Sequence, residues 1–232
     1  MNVAEFDKFA EEYLATHKSN LAITGEAPDY FARYKIIEIA RRLKAMGRAA
    51  PQRILDFGCG IGNSAPHLRE AFPDAEIIGL DVSEKSLAVA QARFPGAAEF
   101  RAYAGGADMP LEAASFDLVF SACVFHHIEA QEHVAIFAGL RRLLRPGGLK
   151  AVFEHNPVNP VSRYIVATCP FDENAVLIPA GEFVRRQRAA GFGKVRIAYT
   201  GFFPGPLKAL RPLEPAMAAL PFGAQYYTLA QA

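Results

Sequence analysis

The chain has 232 residues, 25 of them basic and 24 acidic, for a formal net charge of +1. That length can bury a sizeable core as one domain, and the balanced charge offers no field of one sign to draw in a nucleic acid or an anionic membrane. The three cysteines lie far apart, which fits neither a disulfide framework nor paired metal-ligand spacing. No window approaches the ~20 apolar residues of a spanning helix, and the acid-bearing start is unlike a signal peptide. These features lead to the expectation of a single cytoplasmic domain over 1–232, with no nucleic-acid partner and no integral membrane association.

In chain order, Val3, Phe6, Phe9, Ala10, Tyr13 and Leu14 recur at helical spacing. A second set, Phe31, Tyr34, Ile37 and Leu43, follows Pro28 at a helix start and precedes Gly47 at a helix end. Residues 1–50 therefore read as a helical cap. From Arg53 short β-like runs alternate with helices: "RILDF" and a helix to Phe72, "AEIIGLD" and a helix from Glu84 to Arg93, "AEFRA", "FDLVFSA", a helix from about Gln131 to Arg145, and "LKAVFEH". Strands separated this way imply right-handed crossovers and a mostly parallel sheet, with a ligand beyond the strands' carboxyl ends. After His155 the chain turns proline-rich, with ten of its sixteen prolines from Pro146 onward. A helix from Glu182 to Ala190 and the strands "KVRIAYT" and "AQYYTLA" complete the chain, with an inserted segment near 201–223. Residues 53–155 are the core and 156–232 the substrate-side segments and final strands.

The sharpest local feature is "DFGCGIGN". Gly58, Gly60 and Gly62 follow a buried strand and open a helix, where glycine permits positive φ and lets a ligand touch the backbone. A dinucleotide fingerprint would place a glycine at position 63, which is Asn63 here. Asp56, just ahead of the turn, would repel a pyrophosphate and welcome an ammonium group. Asp81 ends the second strand, where an acid can accept both ribose hydroxyls; a helix N-cap role is its structural alternative. Asp108 lies in a loop from which a carboxylate can accept an adenine amine. Ribose, adenine and an amino-acid head together describe S-adenosylmethionine (SAM).

The runs "ILDFGCGIGN", "GLDVSEKSLAVA", "GGADMPLEAASFDLVFSACVFHHI" and "LRRLLRPGGLKAVFEH", in this order across residues 53–155, resemble the successive motifs of class I (Rossmann-like) SAM-dependent methyltransferases. The resemblance implies a three-layer αβα sandwich on a mostly parallel seven-stranded sheet whose last strand, "AQYYTLAQA", is antiparallel. It implies that Asp56, Gly58, Cys59 and Gly60 meet the methionine part of SAM and that Asp81 holds the ribose. Val82 would pack on adenine, Asp108 and Met109 would meet the adenine amine, and Ser121, Ala122 and Cys123 would line the methionine tail. The product would be S-adenosylhomocysteine. For Cys59 itself a packing role is favoured over a nucleophilic one.

Methyl transfer from a sulfonium asks the protein mainly to position an acceptor and exclude water. An alcohol or phenol also needs a base. His126 and His127, immediately after the fourth strand, and Glu154 and His155, ending the fifth, are candidates; His126 and His155 rank first as catalytic residues. Asp172 and Glu173 come next, and a helix N-cap explains Asp172 equally well. No histidine pair stands at i, i+4 and no cysteine cluster exists, so no metal is expected. In the 201–223 segment Lys208, Arg211 and Glu214 share one side of any helix; that helix could close the pocket, contact a homodimer partner or touch lipid, and a core-covering helix between the last two strands is the favoured reading. Phe202, Phe203, Tyr226 and Tyr227 are possible walls of an acceptor pocket. The expected acceptor is an oxygen or nitrogen of a small molecule, for instance a sugar, a phenolic metabolite or a lipid-linked glycan. Methylation of a macromolecule and non-catalytic SAM binding are the alternatives.

Overall fold

A computed structural model describes residues 25–232, and the helix expected over Val3 to Leu14 lies outside them. Helix α1 spans Pro28–Ala45. It starts at a proline, whose fixed φ suits a first turn, and it is followed by Gly47 at φ +65°. Ile36, Ile39 and Leu43, at i, i+3 and i+7, form its buried stripe.

Seven strands follow: β1 Arg53–Phe57, β2 Glu76–Asp81, β3 Glu99–Ala102, β4 Phe116–Ala122, β5 Leu144–His155, β6 Val195–Thr200 and β7 Gln225–Gln231. They form one sheet in the order β3-β2-β1-β4-β5-β7-β6. The first five pair in parallel. Only β7 runs the other way, antiparallel to both β5 and β6, as the motifs implied. Between the strands lie α2 Ala65–Ala71, α3 Glu84–Arg93, α4 His133–Leu143, α5 Pro160–Thr168 and α6 Ala180–Ala189, with a short α7 at Glu214–Met217.

Two layers of apolar side chains sandwich the sheet, and strand alternation sorts residues between them. Val152 and Tyr226 join Phe137 and Leu140 of α4 and Phe183 of α6 on one face. Their chain neighbours Phe153 and Tyr227 join Ile36 and Ile39 of α1 and Leu68 of α2 on the other. Each face is closed by helices of the opposite period, the condition for a three-layer sandwich.

Two boundaries differ from the sequence reading. The helix before β5 ends at Leu143, and the "RPGG" run belongs to β5. Leu144 already pairs with Phe116, across an irregularity between Phe116 and Leu118, and Gly148 O accepts from Ala232 N; the ladder absorbs a turn-forming sequence. The 201–223 segment forms a 3₁₀ stretch, Gly205–Leu213, kinked at Leu207, and then α7. Pro206, Pro212 and Pro215 deny it donors for one regular helix.

The strand order reverses between β1 and β4. Loops after these neighbouring strands leave in opposite directions and open a crevice at their carboxyl ends, and there the functional residues collect.

Candidate functional site

A cavity of about 330 Å³ occupies this crevice, lined by the glycine turn after β1, the ends of β2 and β4, α1, α5 and residues 201–204. The turn is shaped by sterics. Gly58 has φ +71°, and a Cβ there would stand 2.4 Å from Val124 Cγ2. At Gly60, φ +51°, a Cβ would meet nothing within 4 Å, because the space beside it is cavity. Gly58 is required by packing, and Gly60 leaves room for whatever fills the crevice.

Asp56 reaches this space from the end of β1. It is 3% exposed, and its Oδ2 has no hydrogen-bond partner among the described residues. Burial, aided by the nearby Asp81 carboxylate, pushes Asp56 up to about 7. A buried carboxyl without a partner is costly, and a cation arriving in the cavity would relieve the cost. Asp81 is tied down: Oδ2 accepts from Gly60 N at 2.8 Å and Oδ1 from Ser83 N at 3.0 Å. Ser83 is the N-cap of α3, its hydroxyl accepting from Ser86 N, so Asp81 itself is not needed as the cap.

Of the other expected contacts, Cys59, Val82, Ala122 and Cys123 line the cavity. Burial pushes the Cys59 thiol up, consistent with packing. Ser121 is fully buried behind the wall, its hydroxyl without a partner among the described residues. Asp108 is exposed and Met109 is core; neither lines the cavity, because the Met109 carbonyl is drawn to Arg142 Nη2 at 2.9 Å and Met109 Cε approaches Gly139. Phe202 and Phe203 are walls. Tyr226 and Tyr227 are core instead, their hydroxyls donating to Ile178 O and Glu38.

The opposite wall is a network of titratable groups. After β4 the chain makes a 3₁₀ turn, Phe125–His127. Glu154 accepts from the N–H groups of Val124 and Phe125 with Oε1, at 3.2 and 2.8 Å, and its Oε2 lies 2.6 Å from His126 Nδ1. Asp172, from the 3₁₀ turn Pro170–Asp172, lies 3.5 Å from His126 Nε2 and 3.2 Å from His127 Nε2. Burial alone would lower His126, but Glu154 and Asp172 outweigh it and hold the ring well above its usual value. Burial and the neighbouring His126 charge lower His127. Among the described residues His126, His127 and Asp172 form the one cluster with metal-ligand geometry. It is invisible in sequence because its third member comes from a distant turn.

Cys123 sits at φ +59°, in the left-handed region a non-glycine residue rarely adopts. Lys35 Nζ lies 3.8 Å and Gln225 Nε2 3.5 Å from its Sγ. Burial would raise this thiol, but Lys35 and His155 bring it to about 7. Lys35 is a site residue the sequence reading passes over. Its signal is a cation on an apolar stripe, between Phe31 at i−4 and Ile39 at i+4.

Residues 54–148 match the family described as a methyltransferase domain. The stretch from β1 to the start of β5 is therefore similar to a methyltransferase domain. The chain is 41% identical over 110 residues to a trans-aconitate 2-methyltransferase of Acidovorax sp. (strain JS42), a match over 47% of this chain and 41% of that protein. To a malonyl-[acyl-carrier protein] O-methyltransferase of Hahella chejuensis it is 36% identical over 112 residues, 48% of this chain and 39% of that one. The matches thus span less than half the length of these curated relatives. In fold, the chain resembles a SAM-dependent methyltransferase of Thermotoga maritima, with TM-score 0.68, 18% identity and 98% of each chain covered. It also resembles phosphoethanolamine N-methyltransferase 2 of Haemonchus contortus in complex with SAM, with TM-score 0.65, 18% identity, 97% of this chain and 59% of that one. Among the described residues no helix is long and apolar enough to cross a membrane.

Proposed function

We propose that the protein is a SAM-dependent methyltransferase that moves a methyl group from SAM to an oxygen or nitrogen of a small-molecule acceptor. The observation that carries the reading is the buried Asp56 Oδ2, unpartnered among the described residues, beside the open face of Gly60. This pair suits the ammonium end of an amino-acid ligand and leaves a diphosphate no favourable partner. Asp81, held by the Gly60 and Ser83 N–H groups, would accept the ribose hydroxyls. Val82 would pack on the adenine, with Cys59, Ala122 and Cys123 along the methionine tail. Bound SAM supplies a methyl group on a positively charged sulfur. The protein's own part is to position the acceptor opposite it, exclude water with Phe202 and Phe203, and manage the acceptor's proton. His126, held charged by two carboxylates, is poorly suited to take a proton and well suited to donate a hydrogen bond. His155, within the Cys123 group, remains the better-placed base.

The net charge of only +1 and a cavity of about 330 Å³ favour a small molecule over a macromolecule. A carboxylate oxygen as acceptor is a specific form of this reading. Lys35 is 6% exposed, lines the cavity, and has the Cys123 sulfur as its hydrogen-bond partner; a buried ammonium gains from an anion. Both curated relatives named above also have acids as their named acceptors, trans-aconitate and a malonyl group.

Calorimetry with SAM and S-adenosylhomocysteine tests the cofactor assignment. Asp81→Ala should weaken both by about 10- to 100-fold, since a hydrogen bond to a charged group contributes roughly 1.5–3 kcal/mol. Undiminished affinity, or retention of NAD in place of SAM, removes the assignment. Transfer of labelled methyl from SAM to a small-molecule extract separates catalysis from simple binding.

A further inference from the structure

The polar groups on the acceptor side of the cavity converge on one point. One donor atom each from His126, His127 and Asp172 lies within 4.8 Å of the other two. We propose that these three residues bind a divalent first-row transition ion, with two imidazoles and one carboxylate as ligands and a further position open to the cavity.

Distance is the first support. Ligand bonds of roughly 2.0–2.2 Å around a tetrahedral ion put donor atoms about 3.3 Å apart. The two Nε2 to Asp172 Oδ1 separations are 3.5 and 3.2 Å, so closing the site requires mainly that the imidazoles converge.

The surrounding groups are arranged as they are around a ligating histidine. Glu154 is fixed by the Val124 and Phe125 N–H groups and accepts the Nδ1 proton of His126 at 2.6 Å. This leaves Nε2 as the ligating nitrogen, the tautomer that an outer carboxylate typically imposes. Val176 N donates to His126 O at 2.8 Å and ties the segment carrying Asp172 to the turn carrying the histidines. All three ligands line the cavity, which provides a way in and an open coordination position.

Two imidazoles with one carboxylate suit zinc, cobalt, iron or manganese ahead of magnesium or calcium. Beside the acceptor, such an ion would act as a Lewis acid and lower the pKa of a bound hydroxyl. The site rests on its own geometry and holds even if the acceptor proposed above is wrong.

The test uses the full chain, free of any affinity tag and stripped by chelator, titrated with cobalt(II) by absorption spectroscopy and with zinc(II) by calorimetry in buffers of different ionisation heat. One ion per chain, visible d–d bands and proton release on binding are expected. Asp172→Asn and His127→Gln should each weaken binding by at least about tenfold, while His67→Gln, at the surface group with Asp29 and Glu70, should change nothing. On the cobalt-loaded wild-type protein, paramagnetically shifted resonances from two imidazoles are expected, a readout that survives if a variant fails to fold. Absence of binding, binding unaltered in folded Asp172→Asn and His127→Gln, binding lost in His67→Gln, or no shifted imidazole signals would overturn the proposal.

Discussion

His126 and Glu154 form an ion pair at 2.6 Å with both side chains 1% exposed. Each would be costly to bury alone, and neither can be removed without stranding the other. The pair closes the end of β5 over the turn that follows β4.

Glu154→Gln should therefore destabilise the fold by about 3–5 kcal/mol, read from denaturant midpoints. The pH dependence has two arms. His126 is raised above 6.5, so its contribution is complete below that value and fades as pH rises through the folded value. Glu154, where burial is outweighed chiefly by His126, is lowered below 4.5. Its contribution is complete above 4.5 and fades as pH falls through the folded value. The variant should lose both arms; an unchanged pH profile would contradict the pairing.

The Asp56 carboxyl, at about 7, should make SAM binding pH-dependent. If the ionised form receives the ammonium, affinity rises about eightfold between about pH 6 and about pH 7.5, and Asp56→Asn flattens the curve at low affinity. The ligand-free protein behaves oppositely. An acid raised by folding binds more protons when native, so stability falls as pH rises from about 4 through 7.

Gly58→Ala and Gly60→Ala should separate packing from binding. The first drives a Cβ into Val124 and should lower the melting temperature by several degrees. The second meets open space and should cost only the roughly 1 kcal/mol of a left-handed alanine, yet weaken SAM more than tenfold by intruding on its place. Equal melting temperatures for the two would show the contrast to be wrong.

Lys150 on β5 is fully buried, its Nζ donating to Gln187 and Thr228, and burial lowers it to about 7. The unfolded chain binds this proton up to about 10.5, so stability should climb with pH between about 7 and about 10 by an amount on the order of a few kcal/mol. Lys150→Met should abolish that climb in chemical denaturation.

Much of the fold was legible because local pattern and global architecture agree. "RILDF", "EIIGLD" and "FDLVFSA" could only be buried strands, and the glycine turn after the first of them carried its own steric reason. Local signals and tertiary packing compete where prolines meet the sheet edge, at 145–148 and 205–217. In the first the sheet overrode the turn; in the second the prolines overrode the helix.

The sequence by itself determined the layered sheet, the crevice at its carboxyl edge, and the Asp56, Gly60 and Asp81 arrangement, because these residues act within a few positions of a strand end. Only the tertiary structure decided what faces them. Lys35 from α1, Glu154 from β5 and Asp172 from a distant turn meet at His126, His127 and Cys123 through packing across the sheet. Chain spacing carries no record of that packing, since the distances involved are set by side-chain volumes in the two core layers.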